Sequence, residues 1–255
     1  MKSFNENLIG LIPAAGKGER LKLPFPKELY PVDHKGVYKP VSQFILENLT
    51  VSGIDHVVFV INATKHQLIH YFGDGHKFNC RISYVVQEIR GSENNSASPG
   101  LAHAIDAAFH LIKNKTVFFG MADTIIEPLD VFAQAYQDAS SEEDVILGVF
   151  PTDEPHKFGA VKLNPDKSVD RIEDKRENTK LNEMWGFIIW RSKFTEYLHD
   201  CVQAGESDFG KLMNDAIVKE GMKFRGHRVV AGKYLDMGTF EDINRLNLGD
   251  TLSVW

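Results

Sequence analysis

Short apolar runs alternate with amphipathic stretches along the first 150 residues of the chain. The apolar runs, rich in β-branched and aromatic residues, lie at residues 8–13, 56–61, 81–86, 116–119 and 145–150. Between them, apolar residues recur at intervals of three and four at residues 41–49, 65–72, 100–112 and 129–139. Alternating strands and helices indicate an α/β fold, and nearly continuous apolar runs are typical of strands covered on both faces. We therefore expect a Rossmann-like, doubly wound, mostly parallel mixed sheet.

The second half of the chain continues this pattern with more strands than helices. Strands are predicted at residues 159–163, 167–172, 184–190 and 222–231, and helices at residues 192–202 and 209–220. No linker rich in Pro, Ser or Gly separates the halves, so we expect residues 1–255 to form a single domain with a small additional β region in its second half. Trp185 and Trp190 lie in a predicted strand and are expected in the core.

Composition excludes several classes of protein. The 255 residues include 29 Lys+Arg and 35 Asp+Glu, a formal net charge of −6, which provides no basic field for nucleic acid. Residues 1–10 lack an apolar signal core, and no run approaches the roughly 18 apolar residues of a membrane span. We expect a cytoplasmic protein without nucleic-acid or membrane partners. Cys80 and Cys201 have no metal-like spacing and are expected to be reduced packing residues.

The loop after the first predicted strand carries the clearest chemical signal. It reads PAAGKGERL at residues 13–21 and is followed by PKEL at residues 26–29. Small residues directly after a strand let backbone N–H groups approach a phosphate closely, because no side chain intervenes. The loop lacks the third glycine of a dinucleotide-binding fingerprint and the spacing of a Walker loop. Anion binding is the interpretation we favour over a tight turn with solvated basic residues.

Three cations accompany this loop: Lys17, Arg20 and Lys27. Arg offers a planar fork for two phosphate oxygens, and Lys offers a mobile point charge. Together they could bridge a triphosphate and neutralise its departing end.

Two carboxylates follow apolar runs elsewhere in the chain. Asp123 ends the segment FFGMAD at residues 118–123, and Asp236 lies in YLDMGT at residues 234–239. Ligands of α/β sheets bind at the carboxyl ends of strands, and Mg²⁺ usually takes one or two protein carboxylates plus substrate phosphates. The alternative for each residue alone is a helix cap or turn former.

In these features the chain resembles the sugar-phosphate nucleotidyltransferases, or nucleotide-sugar pyrophosphorylases. The similarity is strongest to the short glucose-1-phosphate thymidylyltransferases and bacterial uridylyltransferases, and it runs from about residue 8 to residue 243. Its main mark is the segment at residues 13–21 followed by Pro26, Lys27 and Glu28. Further matching segments follow in the same order as in the family: Gln87, GLAHA at 100–104, MAD at 121–123, FGAV at 158–161, EDK at 173–175, WGF at 185–187 and LDMGT at 235–239.

The resemblance implies a role for each matching residue. Residues 1–150 would form the nucleotide-binding half and residues 151–255 the sugar-phosphate-binding half. Gly186, beside Trp185, would allow close approach of a ligand. The implied site consists of catalytic Arg20 and Lys27; nucleotide-binding Ala14, Ala15, Gly16, Lys17, Gly18, Gln87 and Gly100; sugar-phosphate-binding Gly159, Asp174, Lys175 and Gly186; and the Mg²⁺ ligands Asp123 and Asp236.

The implied reaction joins a sugar-1-phosphate to dTTP or UTP and releases pyrophosphate, feeding polysaccharide or other glycan synthesis. The attacking phosphate is already ionised near neutral pH, so we expect no catalytic nucleophile or general base among the side chains. Two alternatives stay open: a cytidylyltransferase acting on a sugar or polyol phosphate, and a catalytically silent regulatory protein that binds nucleotide sugars. The base stays open among thymine, uracil and cytosine, and a homo-oligomer is compatible with the sequence.

Overall fold

The computed structural model describes residues 7–18, 21–34, 36–88, 100–239 and 241–243. Strands and helices alternate through these ranges. The strands are β1 Leu8–Pro13, β2 Pro31–His34, β3 Val37–Pro40, β4 His56–Ile61, β5 Arg81–Val86, β6 Thr116–Gly120, β7 Thr124–Glu127, β8 Val145–Pro151, β9 Gly159–Leu163, β10 Val169–Asp174, β11 Glu183–Trp190, β12 Phe224–Arg228 and β13 Lys233–Asp236. The α-helices are α1 Val41–Val51, α2 His66–Phe72, α3 Leu101–Ala107, α4 Phe109–Ile112, α5 Val131–Asp138, α6 Ser192–Gln203 and α7 Phe209–Val218.

Within the described ranges, nine strands form a mixed sheet at the centre of the fold. Strands β6, β1, β4 and β5 lie side by side in that order and run parallel. Strand β11 continues the sheet antiparallel to β6 and pairs on its other side with β8 and, at Met184, with β9. The hairpin of β9 and β10 and the parallel pair of β8 and β12 complete it. The predicted Rossmann-like, doubly wound, mostly parallel mixed sheet is confirmed.

Helices cover both faces of this sheet, which explains the nearly continuous apolar runs of the sequence. Side chains of successive strand residues point to opposite faces. Leu11 and Phe119 pack into a core cluster with α3, α4, α6 and α7. Their neighbours Ile12 and Phe118 pack into a second cluster with α1, α2 and α5. A strand that is apolar on both faces therefore needs no polar alternation.

Several predicted elements have different bounds in the structure; for example, the strand predicted at residues 222–231 is limited to β12, Phe224–Arg228. Two other differences have a clear physical reason. The helix predicted at residues 100–112 is divided into α3 and α4 at Ala108, whose N–H donates to the carbonyl of Ile105 at 3.0 Å. The apolar spacing continues across this break, because Ala108 and Ile112 are both fully buried, so the sequence pattern does not reveal it. The strand predicted at residues 167–172 begins later, at Val169, because Lys167 adopts a left-handed φ of 69° in the preceding turn.

Two small antiparallel sheets lie beside the central one. The first is the hairpin of β2 and β3, and the second pairs β7 with β13. In the second sheet Asp236 pairs with Thr124, and the N–H of Met237 donates to the carbonyl of Asp123 at 2.9 Å. This pairing brings two distant parts of the chain together next to the end of β6.

Two further observations bear on the sequence predictions: the state of the cysteines and the character of the helices. Cys80 is buried and Cys201 half-buried, and both are free thiols. None of the helices in the described ranges combines the length and apolar character needed to cross a bilayer.

Candidate functional site

The order of the parallel strands changes direction between β1 and β6. From β1 the chain adds β4 and then β5 on one side, and it returns to the other side of β1 to form β6. The carboxyl ends of β1 and β6 therefore border a crevice, the position where open α/β sheets bind ligands. A cavity of about 180 Å³, here called the inner cavity, lies there and is lined by residues that follow both strands.

The inner cavity brings together seven residues that the sequence analysis selected. Its wall is formed by the loop after β1, the turn containing Lys27, the residues after β5 and β6, and the start of α3. The seven are Ala14, Ala15, Gly16, Lys27, Gln87, Gly100 and Asp123. Lys17 and Gly18 follow in the same loop but do not line the cavity. Arg20 lies outside the described residues.

A second cavity of about 520 Å³, the outer cavity, adjoins the first and shares Asp123 with it. Gly159, Asp174, Lys175 and Asp236 line it, so four more of the selected residues meet in one place. A third cavity of about 790 Å³ continues beyond the outer one, with Lys175 and Asp236 in both walls.

Gly186 is the exception among the residues selected for the sugar phosphate, because it lines none of these three cavities. A Cβ placed there would lie 2.6 Å from Tyr234 and 2.8 Å from Phe150. In this structure Gly186 lets the Tyr234 and Phe150 rings pack closely against β11. The ring of Tyr234, in turn, forms part of the outer cavity wall.

Asp123 is at the centre of the charged groups of the site. It follows β6, is 7% exposed and accepts a hydrogen bond from the ammonium of Lys27. Burial is the largest single effect on Lys27 and lowers its pKa, but the hydrogen bond and charge of Asp123, with the charges of Glu28 and Asp236, outweigh it. The pKa of Lys27 is therefore raised, and its ammonium is protonated at neutral pH.

The paired acids fit a divalent cation that shares its ligands with a substrate. The ladder of β7 and β13 places Asp236 opposite Thr124, the neighbour of Asp123. Mg²⁺ usually takes one or two carboxylates and completes its coordination with phosphate oxygens and water. Within the described ranges no group of three or more His, Cys, Asp or Glu side chains is placed to hold a metal ion. Two carboxylates in the wall of the outer cavity match the shared arrangement.

Several residues of the outer cavity were not selected from the sequence. Trp185, expected in the core, does pack against it, but its ring also lines the cavity. A Cβ on Gly159 would lie 2.1 Å from the indole nitrogen of Trp185, so this glycine is required for the ring to occupy its position. Tyr234, Lys157 and Asp208 also line this cavity. Tyr234 could have been found, because it lies two positions before Asp236 on the same face of a strand.

The carboxylate of Asp174 faces the outer cavity without an ion-pair partner among the described residues. Burial raises its pKa, the nearby Lys175 opposes that change, and Asp208 reinforces it. A carboxylate in such surroundings is a strong acceptor for hydroxyl groups of a ligand.

The fold places the chain among the doubly wound α/β proteins that bind ligands at a sheet switch point. The model of the nucleotidyl transferase family matches residues 9–252, and the chain belongs to this family.

Individual proteins are similar to the chain in sequence or in fold. Over 254 residues the chain is 26% identical to a glucose-1-phosphate thymidylyltransferase of Streptomyces griseus, with 94% of this chain and 66% of that protein covered. The chain thus spans about two thirds of the length of that relative. A Bacillus anthracis protein crystallised with sucrose has a TM-score of 0.81 at 21% identity, covering 97% of this chain and 96% of its own. A UDP-glucose pyrophosphorylase in complex with UDP-glucose has a TM-score of 0.76 at 22% identity, covering 94% and 97%.

Proposed function

We propose that this chain is a Mg²⁺-dependent nucleotidyltransferase that joins a sugar-1-phosphate to dTTP or UTP and releases pyrophosphate. The observation that carries the proposal is the meeting of two cavities at Asp123. A nucleotide in the inner cavity and a sugar phosphate in the outer cavity would have their phosphates side by side at this residue. Membership of the nucleotidyl transferase family supports the same reaction class.

The inner cavity has the groups that a nucleoside triphosphate needs. The backbone N–H groups of Ala15 and Gly16 would face the phosphates, whereas that of Ala14 donates to the carbonyl of Val60 at 2.7 Å. Lys27 offers a protonated ammonium. Gln87 lines the same cavity and carries both donors and acceptors for the edge of a base. Arg20 and Lys17 add cations to the same loop in the sequence.

The outer cavity suits a phosphorylated sugar. Lys175 supplies positive charge for the phosphate, and Asp174 supplies an acceptor for hydroxyl groups. The rings of Trp185 and Tyr234 offer flat apolar surfaces of the kind against which pyranose rings pack. Gly159 lies beneath the indole and keeps this wall free of a side chain that would displace Trp185.

The reaction then requires mainly orientation and charge neutralisation. Holding the attacking oxygen and the α-phosphorus in line can supply about 7–11 kcal/mol of the barrier. Asp123 and Asp236 would hold Mg²⁺, which neutralises charge on the phosphate oxygens when bound. Lys27 would stabilise charge that develops on the departing pyrophosphate. The sugar phosphate is itself the nucleophile, so no side chain needs to remove a proton.

Pyrophosphate release tests this proposal directly. The chain is incubated with glucose-1-phosphate, MgCl₂ and, separately, dTTP, UTP, CTP, ATP or GTP. We expect release with dTTP or UTP that depends on the sugar phosphate. Release with CTP alone would indicate the cytidylyltransferase alternative. Binding of UDP-glucose without release from any nucleotide would identify the catalytically silent protein and reject the proposal.

A further inference from the structure

The proposed reaction does not use three buried polar side chains at the inner cavity: Glu28, which lines it, and Asn62 and Lys65, which contact the loop after β1. Glu28 is 1% exposed, Asn62 6% and Lys65 4%. Glu28 follows Lys27 in the 3₁₀ turn Lys27–Leu29, whereas Asn62 and Lys65 lie in the loop between β4 and α2. Burying such groups is unfavourable unless hydrogen bonds compensate for their lost hydration. The hydrogen-bond partners of these three groups therefore indicate why they are buried here.

Lys65 connects two segments that line the inner cavity, the loop after β1 and the turn that contains Lys27. Its ammonium donates to the carbonyl of Ala14 at 2.7 Å and to Oε1 of Glu28 at 2.6 Å. The backbone of the same turn is held by Ser42, whose hydroxyl donates to the carbonyl of Glu28 at 2.7 Å. One buried cation thus fixes the loop after β1 relative to the turn that carries Lys27.

Asn62 holds the next peptide of the loop. Its amide nitrogen donates to the carbonyl of Ala15 at 2.8 Å. Its amide oxygen accepts from the N–H of Thr64 at 3.0 Å and from the Thr64 hydroxyl at 2.6 Å, which sets the orientation of the amide group. Two consecutive carbonyls of the loop are therefore turned toward the segment between β4 and α2.

Peptide planarity converts this arrangement into a direction for the N–H groups. In a trans peptide the C=O of one residue and the N–H of the next point in opposite directions. The anchored carbonyls of Ala14 and Ala15 therefore direct the N–H groups of Ala15 and Gly16 away from Lys65 and Asn62. Neither N–H donates to an acceptor among the described residues. They are the donors that a phosphate requires.

We propose that Asn62 and Lys65 are positioning residues for the nucleotide. They hold the carbonyls of Ala14 and Ala15 so that the following N–H groups face the phosphates, and Lys65 also sets the place of Lys27 through Glu28. This inference rests on the proposed function. It adds two residues that touch neither substrate to the set that determines nucleotide affinity.

A purely structural role for the Glu28–Lys65 pair is the competing interpretation. Burial raises the pKa of Glu28 despite the opposing charge of Lys65, and burial lowers the pKa of Lys65 despite Glu28. Both ionised forms are thus disfavoured by their surroundings, and an apolar pair of similar volume would stabilise a core at least as well. Two ionic groups at this place are better explained by the loop geometry they maintain.

The experiment compares Asn62→Ala and the double variant Lys65→Met/Glu28→Gln with the unaltered chain. The double variant removes both charges, so it avoids leaving a lone buried ion. Asn48→Ala is the matched control, because Asn48 is also a fully buried amide that holds carbonyls, those of Ile126 at 3.1 Å and Leu129 at 3.0 Å. The measurements are Tm, the KM for nucleotide, the KM for glucose-1-phosphate, kcat, and the Kd of UTP and dTTP in MgCl₂ by calorimetry.

We expect both test variants to raise the nucleotide KM and Kd at least tenfold, with the KM for glucose-1-phosphate within twofold of the unaltered chain. Asn48→Ala should lower Tm and leave both KM values unchanged. If the test variants lower Tm but bind UTP and dTTP as tightly as the unaltered chain, the residues are structural and the inference is wrong. If the unaltered chain itself binds no nucleotide, the proposed function fails and this inference fails with it.

Discussion

Lys27 donates a hydrogen bond to Asp123, a residue 96 positions away in the chain. The lysine lies in a turn after the loop of β1, and the aspartate follows β6, so the bond crosses the switch point of the sheet. One group is suited to phosphate oxygens and the other to a metal ion, and each neutralises the other until ligands arrive. The proposed chemistry depends on both members of this pair.

Asp123→Asn should reduce pyrophosphate release to near background. The amide keeps the shape of the side chain but loses the negative charge needed to hold a divalent cation. Release is measured under saturating nucleotide and glucose-1-phosphate, together with Tm. Asp215→Asn is the control, because Asp215 forms an exposed ion pair with Lys219 at 2.9 Å. Full activity in Asp123→Asn would remove this residue from the mechanism.

Lys27→Ala should lower kcat by roughly 10²–10³, the usual effect of removing one charge-stabilising donor. The physical reason is that the raised pKa keeps the ammonium charged at the pH of the assay. Steady-state kinetics at pH 7 provide the measurement, and Lys219→Ala is the surface control. Kinetics that match those of the unaltered chain would exclude a role for Lys27 in the reaction.

Gly16→Ala should fold normally and bind nucleotide poorly. A Cβ built on Gly16 meets no protein atom within 4 Å, so nothing in the structure opposes the added methyl group. If a phosphate lies against this backbone, the methyl occupies its space, and we expect the KM for nucleotide to rise about tenfold, a loss of about 1.4 kcal/mol. An unchanged Tm and an unchanged KM for glucose-1-phosphate are the internal controls. Normal nucleotide kinetics would show that the phosphates bind elsewhere.

Lys65→Met should lower the free energy of unfolding by about 3–5 kcal/mol at pH 7, because it leaves the buried carboxylate of Glu28 without its countercharge. The pKa of Glu28 is already raised by burial. Above the unfolded pKa of about 4.3, the folded variant retains a proton that the unfolded chain releases, so its stability falls as the pH rises.

Urea unfolding at several pH values measures this effect. The difference between Lys65→Met and the unaltered chain should grow from pH 4 toward pH 7. Lys65→Met/Glu28→Gln lacks the Glu28 carboxyl group, so its free energy of unfolding should not fall through this titration as the pH rises from 4 to 7. A difference in Lys65→Met that stays constant over this range would contradict the assignment of the penalty to Glu28.

The sequence predicts the parallel half of the sheet well, for a physical reason. Strands β1, β4 and β5 occupy the predicted positions at residues 8–13, 56–61 and 81–86, because burial on both faces leaves a continuous apolar run with clear ends. The short strands β2, β3, β7 and β13 have four residues each and were not predicted. Their pairing depends on contacts between distant segments, which local periodicity does not contain.

For the candidate site too, the sequence predicts residues that have a local pattern and misses residues whose role depends on distant partners. The loop at residues 13–18 and the acids Asp123 and Asp236 are recognisable, since strand ends with small or acidic residues have a local signature. Lys65 has none, because it is the first residue of the helix predicted at residues 65–72 and resembles a solvated lysine. Its burial follows from a partner 37 positions away, Glu28. Asn62 could not be predicted for the same reason, since its hydrogen-bond partner is a backbone carbonyl 47 positions away.

The most direct test of the central claim is a crystal structure of the chain with UDP-glucose or dTDP-glucose. The account predicts the nucleoside in the inner cavity, the hexose in the outer cavity beside Asp174, and the diphosphate between them within reach of Lys27 and Asp123. A product bound with its diphosphate away from Lys27 and Asp123, for example within the 790 Å³ cavity alone, would contradict it.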